Sequence, residues 1–380
     1  MPDPKHTVRS TEGAPTLLVG PMPPPIHGLS AAFATVVDGY RNAGWPASVV
    51  DLAERTGRRG GAFSLRRAVG ILAVIGRVWV KIFHARVLYL NIAQSRMGFL
   101  RDLAICTPAV LFRKRFVVHL NGGNFSGFYG AQSRPIQALA RWMLGAAERI
   151  IVLSECLRSD FSMVPGWQDR TAVVWNPATV PVGTPKKRPS AVLRILYLSN
   201  LLLEKGYRDV LEALPRLAER LPGWRIEADF AGAFLLGRDG FRDADEMKRD
   251  FDALAAKVPP AVSVKWHGVA RGDAKQALLD SADVFVLPTY YVNEGQPLAI
   301  IEALAAGLPV VATAYRAIPE MLPPSHLALS VPPRDSVALA EKFTSLALDG
   351  DRYEQLSRDA IEQARLFDPK LHVERIAALL

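Results

Sequence analysis

Two glutamates, Glu294 and Glu302, bracket the start of an apolar run that ends at Gly307. The stretch Asn293-Glu294-Gly295-Gln296-Pro297-Leu298-Ala299-Ile300-Ile301-Glu302-Ala303-Leu304-Ala305-Ala306-Gly307 reads as a polar loop followed by a helix. Pro297 suits the first helical turn, where its missing N–H costs nothing, and Gly307 suits a left-handed stop. A helix N-terminus carries free N–H groups and a partial positive charge, so amides around Gly295, Gln296 and Leu298 can receive a phosphate. Glu302 sits over a turn further along, where a carboxylate can accept hydrogen bonds from the vicinal hydroxyls of a ribose. Glu294, in the loop, is placed to face a sugar. Either glutamate alone reads as a solvated surface residue, but a carboxylate inside the apolar run PLAIIEALAAG needs a partner.

Such residues need a scaffold. The first half of the chain alternates helix-like stretches with short apolar runs at 15–20 (PTLLVG), 47–52, 86–90 (RVLYL), 115–120 (RFVVHL), 149–154 (RIIVLS) and 171–175. Apolar strands separated by helices predict a parallel sheet covered on both faces. Residues 177–190, PATVPVGTPKKRPS, show neither period and read as an interdomain linker. The pattern restarts at 194–199, 225–231, 262–267, 283–288, 309–313 and 327–331. The expected fold is α/β, with two Rossmann-like domains over 1–178 and 191–364. Ligands of open α/β sheets bind beyond the carboxyl ends of the strands, which places a cleft between the two sheets.

A chain of 380 residues is long enough for two cores, and 49% hydrophobic with 22% charged residues is the balance of a globular protein. The charge is uneven. Residues 1–190 hold 24 Lys+Arg against 10 Asp+Glu, net +14, whereas residues 191–380 hold 22 against 27, net −5. The first half is therefore expected to meet an anionic surface or ligand. Nucleic acid is the rival partner, but the basic residues sit among apolar helix-like runs and no nucleic-acid motif is present. An anionic membrane surface fits better. Residues 63–84, FSLRRAVGILAVIGRVWVKIFH, are the most apolar helix-like stretch, and Arg77 and Lys81 interrupt it well short of the ~20 residues of a span. It reads either as a helix packed on the sheet or as an amphipathic helix in the interface, with Arg66, Arg67, Arg77 and Lys81 at the headgroups.

The N-terminal stretch MPDPKHTVRSTEGAPT has no apolar leader segment. Cys106 and Cys156 lie far apart in no metal-ligand spacing and read as reduced, buried thiols of a cytoplasmic protein. Asp243-Ala244-Asp245 matches a metal-holding D-x-D, but in its charged surroundings it reads as the start of a solvated helix. The seven histidines show no zinc spacing, so no metal site is expected.

Glu294 and Glu302, seven residues between them and Ala-Leu-Ala-Ala-Gly-Leu-Pro-Val-Val following, resemble the Glu-x7-Glu segment of the family 4 glycosyltransferases, retaining enzymes of GT-B fold. The resemblance implies that Glu302 holds the ribose, that Glu294 lies at the donor sugar, and that Gly295, Gln296, Pro297 and Leu298 bind sugar and phosphate. Other segments match in order. In Leu196–Gly206, YLSNLLLEKG after the leucine, Lys205 precedes a helix-like run and is placed to neutralise a leaving diphosphate. The family often carries an arginine five residues earlier; Asn200 stands there, one cation fewer on the nucleotide sugar. The loop GPMPPPIHGLS, with His27 and Gly28, is similar to the family's first loop, which faces the donor, although it fits no phosphate-loop pattern. His119, in VVHLNGG, takes the family's position near the sugar; by itself a histidine at a strand end reads equally as structural. A C-terminal helix within 365–380 is expected to return to the first domain.

What the resemblance implies is sugar transfer with retention from a UDP- or GDP-sugar, with Glu294, Lys205 and His119 at the reacting centre and no metal or other cofactor. The acceptor implied is a glycan or a lipid-linked, anionic molecule of bacterial surface-polysaccharide assembly, met on the inner face of the cytoplasmic membrane. The alternative from a different class is a non-catalytic GT-B scaffold that binds nucleotide or membrane.

Overall fold

The computed structural model describes residues 15–24, 28–53, 65–237 and 243–380, with the backbone alone for Leu65, Arg66 and Arg67. Residues 1–14 of the N-terminal stretch read for a leader, His27, and the side chains of Arg66 and Arg67 lie outside the described residues. The chain divides into two units, Met1–Pro177 with Asp368–Leu380, and Ala178–Phe367.

The first unit runs β1 (Thr16–Gly20), α1 (Gly28–Asn42), β2 (Ala47–Asp51), α2 (Leu65–Lys81), β3 (Val87–Asn91), α3 (Arg96–Leu111), β4 (Arg115–His119), α4 (Phe125–Gly130), α5 (Arg134–Ala146), β5 (Arg149–Val152), α6 (Trp167–Arg170) and β6 (Thr171–Val173). These strands form one parallel sheet in the order β2-β1-β3-β4-β5-β6. β1 and β3 are buried along their whole length, which is why their sequences are unbroken apolar runs. The order reverses between β1 and β3. With right-handed crossovers, α1 covers one face while α2, α3 and α5 cover the other. Their neighbours agree, α2 lying on α3 and α3 on α5.

The second unit continues with β7 (Val192–Leu198), α7 (Tyr207–Arg220), β8 (Arg225–Ala231), α8 (Ala244–Ala255), β9 (Val262–Trp266), α9 (Gly272–Ser281), β10 (Val284–Leu287), α10 (Leu298–Ala305), β11 (Val310–Ala312), α11 (Ile318–Met321), α12 (Pro324–Leu327), α13 (Ser336–Leu348) and α14 (Gly350–Ala364). Its parallel sheet has the order β11-β10-β7-β8-β9, so the reversal falls between β7 and β10. The chain then re-enters the first unit as α15 (Pro369–Ala377), whose Val373 and Ile376, with Leu380, join Phe33 and Val36 of α1 in the core over Tyr89 and Val117.

Three expectations are corrected. Residues 327–331 are not a strand: prolines 323 and 324 start the short helix α12, for which proline is well suited at the first position, and Val331 makes only an isolated bridge to Thr313. Cys106 is buried, but Cys156 is exposed, because it lies at the start of the 3-10 turn that leaves β5. Residues 178–190, within the 177–190 stretch read as an interdomain linker, belong to the second unit. They lack helix and strand, yet the Gly183 N–H donates to the Ala305 carbonyl at 2.8 Å and the Lys186 N–H to Ser357 Oγ at 2.6 Å. Asp243 caps α8 through the Glu246 N–H, as its helix-starting pattern predicted.

Candidate active site

The reversal between β7 and β10 leaves a crevice at their carboxyl ends, the general ligand position of open α/β sheets. Lys205 and Glu294 come from the two loops that leave those strands. After β7 the chain makes one 3-10 turn, Leu203–Lys205, and Gly206 enters α7 at φ 79°. A Cβ on Gly206 would lie 2.6 Å from the Pro288 carbonyl oxygen, so the two loops touch here through glycine alone. The Tyr290 N–H donates to the Glu204 carbonyl at 2.8 Å and seals the contact.

Lys205 Nζ lies 2.6 Å from Glu294 Oε2, and Thr289 Oγ1 donates to the same oxygen at 2.9 Å. Both charged groups are largely out of solvent, Glu294 at 5% exposure. The ammonium also faces the Tyr291 ring, 5.1 Å from its centre. Thr313, just beyond β11, donates to the Thr289 carbonyl and ties a third loop to the pair. Gly206→Ala combines a left-handed backbone with this clash. It is expected to lower stability by more than about 1 kcal/mol, read as a fall in melting temperature.

Pro297 is the N-cap residue rather than the first helical one, so α10 begins at Leu298. Its φ of −64° and ψ of 113° keep it extended, and its own side chain offers no capping hydrogen bond. The Ile300 N–H donates to the Pro297 carbonyl at 3.1 Å, and a helix start without a capping side chain is the kind of N-terminus that can receive a phosphate. Gly295, Gln296 and Pro297 are buried and Leu298 is half-buried. Gly307 closes the helix at φ 73°.

Glu302, on α10, is buried and does not share the Lys205 pair. Lys275 Nζ of α9 meets its Oε1 at 2.5 Å, and Thr179 Oγ1 donates to that same oxygen. Both bonds fall on Oε1. Lys275 and Thr179 carry no signal in the sequence: GDAKQALLDS reads as any solvated helix, and Thr179 lies in the linker-like stretch 177–190. Thr289 was missed as well. Asn200 is exposed, its carbonyl accepting from the Tyr197 hydroxyl at 3.3 Å.

In the first unit, His119 ends β4 and is 1% exposed. Its Nδ1 is 2.6 Å from the Tyr89 hydroxyl, and its Nε2 is buried without a partner. Burial, with His372 nearby, lowers its pKa to about 3, so the imidazole is neutral at physiological pH. Beside it a chain of amides runs from Asn91 Nδ2 to Asn121 Oδ1 at 2.8 Å and from Asn121 Nδ2 to Asn176 Oδ1 at 3.2 Å. Gly28 is exposed as the first residue of α1. Among the described residues no three His, Cys, Asp or Glu side chains gather as a metal site.

Residues 185–365 match the family described as Glycosyl transferases group 1. The chain is 35% identical over 200 residues to a protein of Salmonella typhimurium named for colanic acid biosynthesis, glycosyltransferase WcaL, covering 51% of this chain and 46% of that one. It is 27% identical over 271 residues to the glycogen synthase of Mycobacterium tuberculosis, covering 68% and 62%. The chain thus spans about half to three-fifths of the length of these relatives. Among solved structures, Anabaena HepE in complex with UDP and glucose superposes with a TM-score of 0.68 at 19% identity, covering 96% of this chain and 98% of that one. At that identity the likeness is one of fold, and the fold is the two-domain α/β architecture called GT-B.

Proposed function

We propose that this protein, whose residues 185–365 match the glycosyl transferases group 1 family, is a retaining glycosyltransferase using a UDP- or GDP-sugar. The acceptor we assign is a glycan or lipid-linked molecule of surface-polysaccharide biosynthesis. The observation that carries the reading is the buried Lys205–Glu294 pair at the β7/β10 switch point, on the loop that leads into the proline-capped N-terminus of α10.

Lys205 supplies positive charge as the diphosphate departs, in a site where water is scarce and the charge is strongly felt. Amides around Gly295, Gln296 and Leu298 donate to the phosphate. Glu302 receives the ribose hydroxyls on Oε2 while Lys275 and Thr179 hold Oε1. The bond from the anomeric carbon to the diphosphate oxygen breaks, and the bond to the acceptor oxygen forms on the same face. The acceptor's proton goes to the departing phosphate oxygen. No covalent nucleophile is assigned, and no metal enters this scheme because protein cations and amides carry the charge. Among the described residues no helix is long and apolar enough to cross a membrane. The basic first half fits peripheral attachment to an anionic membrane, on its cytoplasmic face.

The test is release of UDP or GDP from a panel of nucleotide sugars, with membrane extract as acceptor and with or without EDTA. Turnover from one donor, unchanged by EDTA, is expected. Glu302→Ala removes a charged hydrogen-bond acceptor worth about 1.5–3 kcal/mol, so the donor KM is expected to rise roughly 10- to 100-fold with a smaller change in kcat. Nucleotide-dependent heat stabilisation without turnover from any donor would replace the enzyme with a non-catalytic scaffold. A requirement for added metal would mean that the site is wrongly assigned.

A further inference from the structure

The helix α2 presents apolar side chains on the side away from the sheet. Val78 is buried beneath it, whereas Val69, Leu72, Val80 and, just beyond the helix, Phe83 are exposed, Leu72 and Val80 at 66% each. Their spacing of three to four residues, with Ala73 and Gly76 between, makes one continuous outer stripe on a helix of 3.6 residues per turn. A helix apolar on both sides belongs in a core or against another apolar phase.

The exposed apolar surface continues onto α3 and, beyond it, α5. Met97 and Leu111 of α3 are exposed at 62% and 65%, and Leu139 and Trp142 of α5 are exposed as well. The Trp79 indole N–H donates to the Ala104 carbonyl of α3 at 2.9 Å, and the Phe83 and Phe112 rings meet edge-on at 5.0 Å. Ten of the eighteen exposed large hydrophobic residues among those described lie on this one layer. Apolar surface gathered on this scale marks an interaction site.

Charge identifies the occupant. The three helices carry eight basic residues, among them Arg77, Lys81, Arg96, Arg101, Arg134 and Arg141, against the single acid Asp102. Asp102 is fully buried and bound by Arg101 at 2.8 Å. Two such faces repel each other, which disfavours a second copy of the chain. A bilayer with anionic headgroups offers an apolar layer and a negative boundary together. Trp142, with an apolar body and a polar N–H, suits that boundary, and Trp79, its N–H held by Ala104, adds exposed apolar ring.

We propose that the α2–α3–α5 face binds an anionic phospholipid bilayer, with α2 lying in the interface. This rests on the membrane part of the proposed function and on none of its chemistry. It is tested by lipid binding without turnover, so either can fail alone. Full-length protein is sedimented with vesicles of phosphatidylcholine alone or mixed with phosphatidylglycerol, at low and high salt. Binding to the anionic vesicles is expected, weakened by salt, and reduced roughly tenfold or more in Leu72→Glu/Val80→Glu. Both positions are exposed, so the near-ultraviolet circular dichroism of that variant should match the parent's. Brominated acyl chains should quench the tryptophan emission of the wild type, and Trp79→Phe/Trp142→Phe should remove most of that quenching. Absence of binding to anionic vesicles, or undiminished binding of the double glutamate variant, overturns the proposal. So does a dimer by light scattering that Leu72→Glu/Val80→Glu dissolves, for then a second copy covers this face.

Discussion

Glu294→Gln is expected to lower kcat by about 10²–10³-fold, the usual loss when one preorganised electrostatic group is removed from a reacting centre. The substitution keeps the size of the side chain and an acceptor for Thr289, but removes the charge that holds Lys205 at 2.6 Å. Lys205→Ala is expected to lose a similar factor by removing the cation itself. Stability separates the positioning of the pair from its chemistry. Removing one partner of a buried ion pair leaves the other charge unpaired, at a cost of about 3–5 kcal/mol, whereas replacing both with apolar residues is often nearly neutral. Lys205→Met combined with Glu294→Met should therefore regain most of the melting temperature lost in Lys205→Met alone, without regaining turnover. Activity that returned along with stability would show the pair to be a structural brace and leave the proposed function without its central residues.

The second large effect is acid sensitivity. Three buried histidines have pKa values pushed down mainly by burial: His119 to about 3, His326 to about 4 and His372 to about 4. In the unfolded chain each takes its ordinary value near 6.5. Below that pH the unfolded chain binds more protons than the native one, so stability is complete above about pH 6.5 and falls as pH drops. The loss is about 1.4 kcal/mol per pH unit for each histidine, or about 2 kcal/mol each by pH 5. Buried carboxyls work against it: burial raises Asp102 in the first unit, and in the second it raises Asp209 to about 6, so that Asp209 takes up its proton earlier in the native state than in the unfolded one. With two histidines, the first unit is expected to show the steeper decline in calorimetry between pH 7 and 5. His372→Gln keeps a donor for the Trp175 carbonyl and should flatten that decline by about half. A first-unit melting temperature that stayed constant from pH 7 to 5 would show that these histidines stay neutral on unfolding or charge within the native fold.

Much of the fold was legible because strands covered on both faces must be apolar throughout, and runs such as RVLYL and RFVVHL can hardly be anything else. The loop-to-helix change at 293–307 was legible for a related reason, since proline and glycine fix backbone angles locally. The sequence also showed that Glu302 needs a partner, because a carboxylate in PLAIIEALAAG cannot stay unpaired. It could not say which partner. Lys275 lies 27 residues away and Thr179 123, and Lys205 reaches Glu294 across 89. Such pairs are set by the order in which strands assemble, not by any local period. Strand order also decided that His119 would be buried against Tyr89 rather than left open at a strand end. The 65–81 helix divides along the same line. Its composition fixed that it is apolar and too short between charges to span a bilayer, yet an apolar helix does not declare which side will be covered. Only the packing of α2 onto α3 decided that Leu72 and Val80 face outward, because burial depends on neighbours that the local sequence does not contain.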